Sequence, residues 1–152
     1  MDRQKLIDGM VDVAKTARAF GVPIIHSIVN VKTGANKPAI PQLRKVVGDL
    51  PTFDRTTINS WEDVEFVQAV KATGRRKLIM TALWTEACPT FPALDALRAG
   101  YEVYVVADAV GGTSVEAHQA ALRRIEHISR PATLPQRNRR LADSSNIFRP
   151  SM

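Results

Sequence analysis

The chain has one cysteine and three histidines in 152 residues. A single thiol excludes an internal disulfide and cannot by itself build a zinc site. His26, His118 and His127 stand at no metal-ligand spacing, so each reads as a core or surface side chain and no metal is expected. Glycine is sparse and forms neither a phosphate-cradling loop nor a Gly-x-Ser-x-Gly elbow. The pair Gly111-Gly112 alone does not imply a nucleotide, and no cofactor is expected. No apolar run approaches the length of a membrane span, and residues 1–20 alternate charge with apolar residues instead of forming a signal-peptide core. These absences point to a soluble, cytoplasmic protein with no membrane partner. The net charge of +6 is uneven: residues 130–152 carry five arginines against Asp143 alone, which places +4 there. Phe148 is the one aromatic residue among those arginines, too few for a stacking platform, so a solvated basic tail is expected there and nucleic acid is not expected as a partner.

What is present is an alternation of helical and extended patterns. Leu6, Met10, Val13, Ala14, Ala17 and Phe20 recur at helical spacing, and Gly21 and Pro23 end that run. Pro23 to Val29 reads as a strand, Ile40 to Val47 as a short helix opened by Pro41, and Thr52 to Arg55 as a short strand. Ser60 with Asp63 three residues on predicts a capped helix that Gly74 terminates. Lys77 to Leu83 and Glu102 to Val110 are nearly continuous apolar runs of strand length, the pattern of parallel strands covered on both faces. Thr113 or Ser114 caps a last helix through Ile128. Strands alternating with helices predict an α/β fold, one parallel sheet with helices on both faces. Residues 1–129 are expected to form the domain, and residues 130–152, with Pro131, Pro135 and Pro150, an irregular tail.

Sheets of this class bind ligands beyond the carboxyl ends of their strands. Arg55, Cys88 and Asp108 fall at such ends. Cys88 lies between the turn Trp84-Thr85-Glu86-Ala87 and Pro89, which suits the first position of a helix running to Gly100. A thiolate is stabilised at a helix N-terminus and would attack an acyl carbon, although buried inert cysteines are common. Arg55 cannot act as a base. It can lower the thiol pKa, clamp a substrate carboxylate, or simply pair with Asp54 or Asp49 at the surface. Glu86 either faces substrate or complements the helix dipole, and Asp108 either orients the site or caps a turn.

The segments Arg55-Thr56-Thr57-Ile58-Asn59-Ser60-Trp61-Glu62-Asp63, Ala69-Val70-Lys71-Ala72-Thr73-Gly74, Thr85-Glu86-Ala87-Cys88, Phe91-Pro92-Ala93-Leu94 and Val106-Ala107-Asp108-Ala109, in that register, resemble the isochorismatase-like cysteine hydrolases in their YcaC-like branch. The similarity spans roughly Lys5 to His127. It implies a Rossmann-like three-layer α/β/α fold, oligomers of identical chains, and hydrolysis of a small amide, imide or related substrate through a covalent intermediate. By resemblance Cys88 is the nucleophile and Arg55 the basic partner. A cis peptide at Leu83–Trp84 aims the Trp84 and Cys88 N–H groups at the oxyanion, and Thr85, Glu86, Asn59 and Trp61 are the expected substrate-side residues. The family also has an aspartate base at the end of a strand preceding the first helix. Asp2 stands near that place but does not match the motif, and after His127 the similarity stops. A mis-called start with a shifted frame or truncated gene is therefore expected. The alternative function is a catalytically impaired remnant acting as an oligomeric or interaction module.

Overall fold

The computed structural model describes residues 2–129. Five helices alternate with four strands: α1 (Arg3–Ala19), β1 (His26–Val29), α2 (Pro41–Val47), β2 (Thr52–Arg55), α3 (Val64–Ala72), β3 (Lys77–Leu83), α4 (Thr90–Arg98), β4 (Glu102–Gly111) and α5 (Val115–Ser129), with a 3-10 turn at Ser60–Glu62 before α3. The expected tail over 130–152 lies outside the described residues.

Helix α1 starts where Asp2 accepts hydrogen bonds from the Gln4 and Lys5 amides, and it stops at Gly21, whose φ of 62° suits a residue without a Cβ. Its buried stripe is Met10, Val11 and Ala14. Gly9 brings the helix backbone directly onto β4: a Cβ there would lie 2.6 Å from the Asp108 carbonyl oxygen. The helix packs on α2 as well as on β4.

All strand pairing is parallel. Strand β1 runs beside β2 with His26 opposite Thr52 and Val29 opposite Arg55, and the ladder continues as the Asn30 amide donates to the Arg55 carbonyl. The Asp54 carboxylate gathers the Val31 and Lys32 amides, fastening the loop that leaves β1. Strand β3 runs beside β4 from Lys77 opposite Glu102 to Met80 opposite Val105. The register then slips, so that Ala82 faces Val110. The slip lets Val106 to Ala109 bulge out of the ladder, which explains why Ala107 and Asp108 are exposed in a strand predicted to be buried. Asp108 therefore marks a bulge inside β4, neither a strand end nor a turn cap.

The expected α/β fold with parallel strands is present, and its strands stand in two pairs. The described residues form two separate two-stranded sheets, β1 with β2 and β3 with β4. Strand β3 is consequently half-buried along Leu78 to Ala82 and exposed at both ends. An apolar run specifies extended backbone and a preference for burial, but it does not name a partner, and among the described residues β3 pairs on one edge only. The packed core sits around α4, where Val70, Ala93, Ala96, Tyr101, Val103 and Ile125 are buried together. Ala93 and Ala96 are 0% exposed, small side chains that let α4 lie close to its neighbours.

Capping differs from the reading of Ser60. Asn59 caps the 3-10 turn through the Trp61 amide, and Asp63 caps α3 through the Phe66 amide at 2.8 Å. Two adjacent Asx caps divide what the sequence presents as one helix start. At the far end of the chain Ser114 is the cap, its hydroxyl accepting from the Ala117 amide.

Candidate active site

The turn that carries Cys88 is tied down at one residue. Thr85 is 0% exposed. Its amide donates to the Gly111 carbonyl at 2.9 Å, its carbonyl accepts from the Thr90 hydroxyl, and its own hydroxyl lies 2.8 Å from His118 Nδ1. Every polar group of Thr85 is thus paired, as complete burial requires. The Leu83–Trp84 bond just before it is cis, in agreement with the resemblance. The Trp84 carbonyl accepts from the Ala87 amide at 2.9 Å and from the Cys88 amide at 3.0 Å. The Cys88 N–H is therefore already engaged within the turn, and an oxyanion would have to share it. Cys88 is a half-buried free thiol two residues before α4, and Pro89 stands one position earlier than expected, as the residue flanking the helix.

Glu86 joins this turn to the loop between β4 and α5. Its Oε1 accepts from the Thr113 amide at 2.9 Å and from the Thr113 hydroxyl, while its Oε2 is buried and has no partner among the described residues. Burial pushes the Glu86 pKa up, but the Thr113 hydrogen bonds and the nearby His118 charge outweigh it and hold the carboxyl below its ordinary range. Gly112 is required by this contact. A Cβ there would sit 2.8 Å from Glu86 Oε2, 2.8 Å from His118 Cβ and 3.0 Å from His118 Cα. The Gly111-Gly112 pair, too weak to suggest a nucleotide, has close backbone approach as its reason.

Arg55 is 7% exposed at the end of β2. Its Nε donates to Ser27 Oγ at 2.8 Å, and one Nη donates to the carbonyls of Thr57 and Ile58. The surface ion pairs considered for it do not form, because Asp49 pairs with Arg18 and Asp54 holds the Val31 and Lys32 amides. Among the described residues Arg55 meets neutral acceptors only, so a buried guanidinium keeps an uncompensated positive charge. It shares no hydrogen bond with Cys88 among those described; Arg55 ends β2 and Cys88 follows β3, strands of different sheets. The link between them is indirect. Asn59, next to the Ile58 carbonyl that Arg55 holds, donates to Asp95 on α4 at 2.8 Å, and Trp61 packs edge-on against Tyr101 at 5.4 Å. A cleft of about 520 Å³ opens here, walled by Ile58, Asn59, Phe91 and Arg124, and Cys88 is not in its wall. Asp2 is engaged as the α1 cap.

His118 is the residue that sequence reasoning passed over. It carries no metal-ligand spacing, and its only signal was position: one turn into a helix that follows Gly-Gly. The His26 ring accepts or donates to Thr52 Oγ1 at 3.0 Å, and burial pushes its pKa down.

Compared with known proteins, residues 1–136 match the isochorismatase domain family. The chain is 38% identical over 112 residues to the probable hydrolase YcaC of Escherichia coli, covering 73% of this chain and 53% of that protein. YcaC from Pseudomonas aeruginosa, solved with hexane-2,5-diol and covalent acrylamide, superposes with a TM-score of 0.79 at 33% identity over 84% of this chain and 63% of that one. The Escherichia coli YcaC structure, described as an octameric hydrolase of unknown specificity, gives 0.79 at 34% identity with the same coverage. The chain thus spans about half the length of the curated relative (53%).

Proposed function

Because the chain belongs to the isochorismatase domain family, we propose that it is a cysteine-dependent hydrolase of a small amide, imide or related substrate. The Cys88 thiolate attacks the carbonyl carbon, and the resulting oxyanion lies near the backbone amides of the Trp84 to Cys88 turn. Collapse of that adduct breaks the C–N bond and releases the amine, which takes up a proton. Water then attacks the thioester, freeing the acid and restoring the thiol. The observation that carries this reading is the placement of the chain's one cysteine: half-buried, in an anchored turn at the carboxyl end of β3, where a helix begins. The Pseudomonas aeruginosa relative holds covalent acrylamide, itself a small amide, and in this chain the one soft nucleophile able to carry such an adduct is Cys88.

Arg55 is proposed to act by charge. Its guanidinium, which meets no carboxylate among the described residues, favours a thiolate or a substrate carboxylate in a poorly solvated setting. Of the substrate-side residues, Thr85, Glu86, Asn59 and Trp61 are proposed to act by placing the backbone, since their side chains are engaged with His118, Thr113, Asp95 and Tyr101. The Trp84 ring, 57% exposed, is the surface proposed to meet substrate. Among the described residues no carboxylate bonds the thiol, and turnover without a placed base is expected to be about 10²- to 10⁴-fold below that of a fully equipped site. Assembly with copies of itself is proposed on the likeness to the octameric relative.

The test compares the wild-type chain with Cys88→Ser on a panel of small amides and imides, with intact-mass detection of an acid-quenched acyl adduct. Loss of both turnover and adduct in the serine variant is expected. Unchanged hydrolysis by Cys88→Ser would overturn the mechanism.

A further inference from the structure

Thr85, His118 and Glu86 bring a hydroxyl, an imidazole and a carboxylate together, and the reaction proposed above uses none of them chemically. In an open cleft this set would suggest an activated hydroxyl nucleophile. Burial rules that out here, because Thr85 is 0% exposed and no substrate can touch its Oγ1. What the set can do is hold backbone. Thr85 lies three residues before Cys88, and its hydroxyl is bound by a ring that belongs to a different helix. The His118 amide donates to the Ser114 carbonyl at 3.0 Å, which fixes the ring's origin in the first turn of α5. Glu86 closes the arrangement from the other side. It bonds Thr113 in the loop that starts α5, and the Gly112 backbone is wedged between it and His118.

We propose that His118 is a positioning residue for Cys88: its Nδ1 holds the Thr85 hydroxyl, and so fixes the turn from which the thiol is presented. The proposal rests on Cys88 being the nucleophile. Remove the ring nitrogen and a wholly buried hydroxyl loses its partner, which favours any shift of the turn that brings Thr85 to water or to another acceptor. Such a shift is transmitted through three residues to the sulfur. Because displacements near 1 Å in a reacting group can cost about 10²-fold, a loss of about tenfold is a modest expectation for one released anchor.

The experiment uses the full chain with His118→Phe, which fills the space without a nitrogen, and His118→Asn, whose amide places a polar atom at the level of Nδ1. His127→Phe, an exposed change further along α5, is the control. The readings are the rate of Cys88 alkylation by iodoacetamide and kcat and KM on the best amide of the panel. Alkylation and kcat about tenfold slower in His118→Phe, with KM little changed and His118→Asn restored to within about threefold, is the expected result. Equal damage by Phe and Asn, or no damage by Phe, overturns the proposal. Should the variants not fold, the unsubstituted chain decides. A long-range ¹H–¹⁵N spectrum, with the His118 ring assigned by through-bond correlation to its own backbone, should show one fixed tautomer, and an averaged imidazole signal overturns the proposal. If Cys88→Ser keeps activity, the nucleophile reading fails by itself, while the alkylation rates and the nitrogen signal still judge the grip of His118 on the turn.

Discussion

Replacing Gly112 with alanine asks whether the backbone contact between the two loops is obligatory. The two contributions have opposite signs. An alanine restricts the unfolded chain and, where its conformation is compatible, stabilises by about 0.4–1 kcal/mol. Against this, the new methyl group would meet Glu86 Oε2 and His118 Cβ at 2.8 Å and His118 Cα at 3.0 Å. The carboxylate end can swing aside, but the His118 backbone cannot move without dragging the start of α5. Overpacking of this kind costs about 1–3 kcal/mol, so the net expectation is a loss of about 1–2 kcal/mol. With a urea slope of about 2 kcal/mol/M, the unfolding midpoint followed by far-ultraviolet circular dichroism should fall by about 0.5–1 M. In a Glu86→Ala background the same change should cost less than it does alone, because the contact with Oε2 goes while the two with His118 stay. A midpoint equal to or above that of the unsubstituted protein would refute the reasoning.

Arg55→Lys keeps the charge but cannot reach Ser27, Thr57 and Ile58 together, and a stability loss of about 2–3 kcal/mol in the same denaturation assay is expected. Asp54 and Glu86 have pKa values held down, the first by the Val31 and Lys32 amides, the second because the Thr113 bonds outweigh burial. Depressed folded values mean that their contribution is full above the unfolded values of about 4 and is lost as pH falls through the lower folded ones. Urea midpoints should therefore begin to fall below about pH 6.5, where the unfolded chain protonates His26 more readily than the folded one, and drop further below about 4, with a shallower low-pH drop in Asp54→Asn; an equally steep low-pH drop in that variant would contradict the assignment. Hydrogen exchange should show alternate amides of β3 protected, since β4 covers one edge of the strand. Uniform protection along Leu78 to Ala82 would mean that the other edge is covered too.

The elements were legible where the sequence carries local physics. Arg3 to Ala19 shows its stripe and its glycine stop, Thr52 to Arg55 its strand, and Gly74 and Gly100 adopt φ of 67° and 81° as helix ends demand. The turn before Cys88 was legible too, because a strand, a polar turn and Pro89 follow one another directly. What was not legible depends on distant partners. No pattern within Lys77 to Leu83 tells that one edge stays unpaired or that β4 slips by several residues after Val105. Nor does the local sequence around His118 tell that its ring meets a threonine on another turn. Arg55 invited ion-pair readings because acids flank it in sequence, whereas burial turned it toward carbonyl groups.

The backbone contact of Gly9 with Asp108 also bears on the order in which the molecule can be built. Helix α1 leaves the ribosome before β4, yet part of its docking surface is that strand, synthesised about a hundred residues later, a wait of about 5–20 s at ordinary translation speeds. In that interval α2 is the neighbour available to shelter Met10, Val11 and Ala14. The nascent chain therefore passes through a half-assembled stage whose lifetime is set by translation, and slowing or speeding codons between β2 and β4 should change how much of it is captured by chaperones.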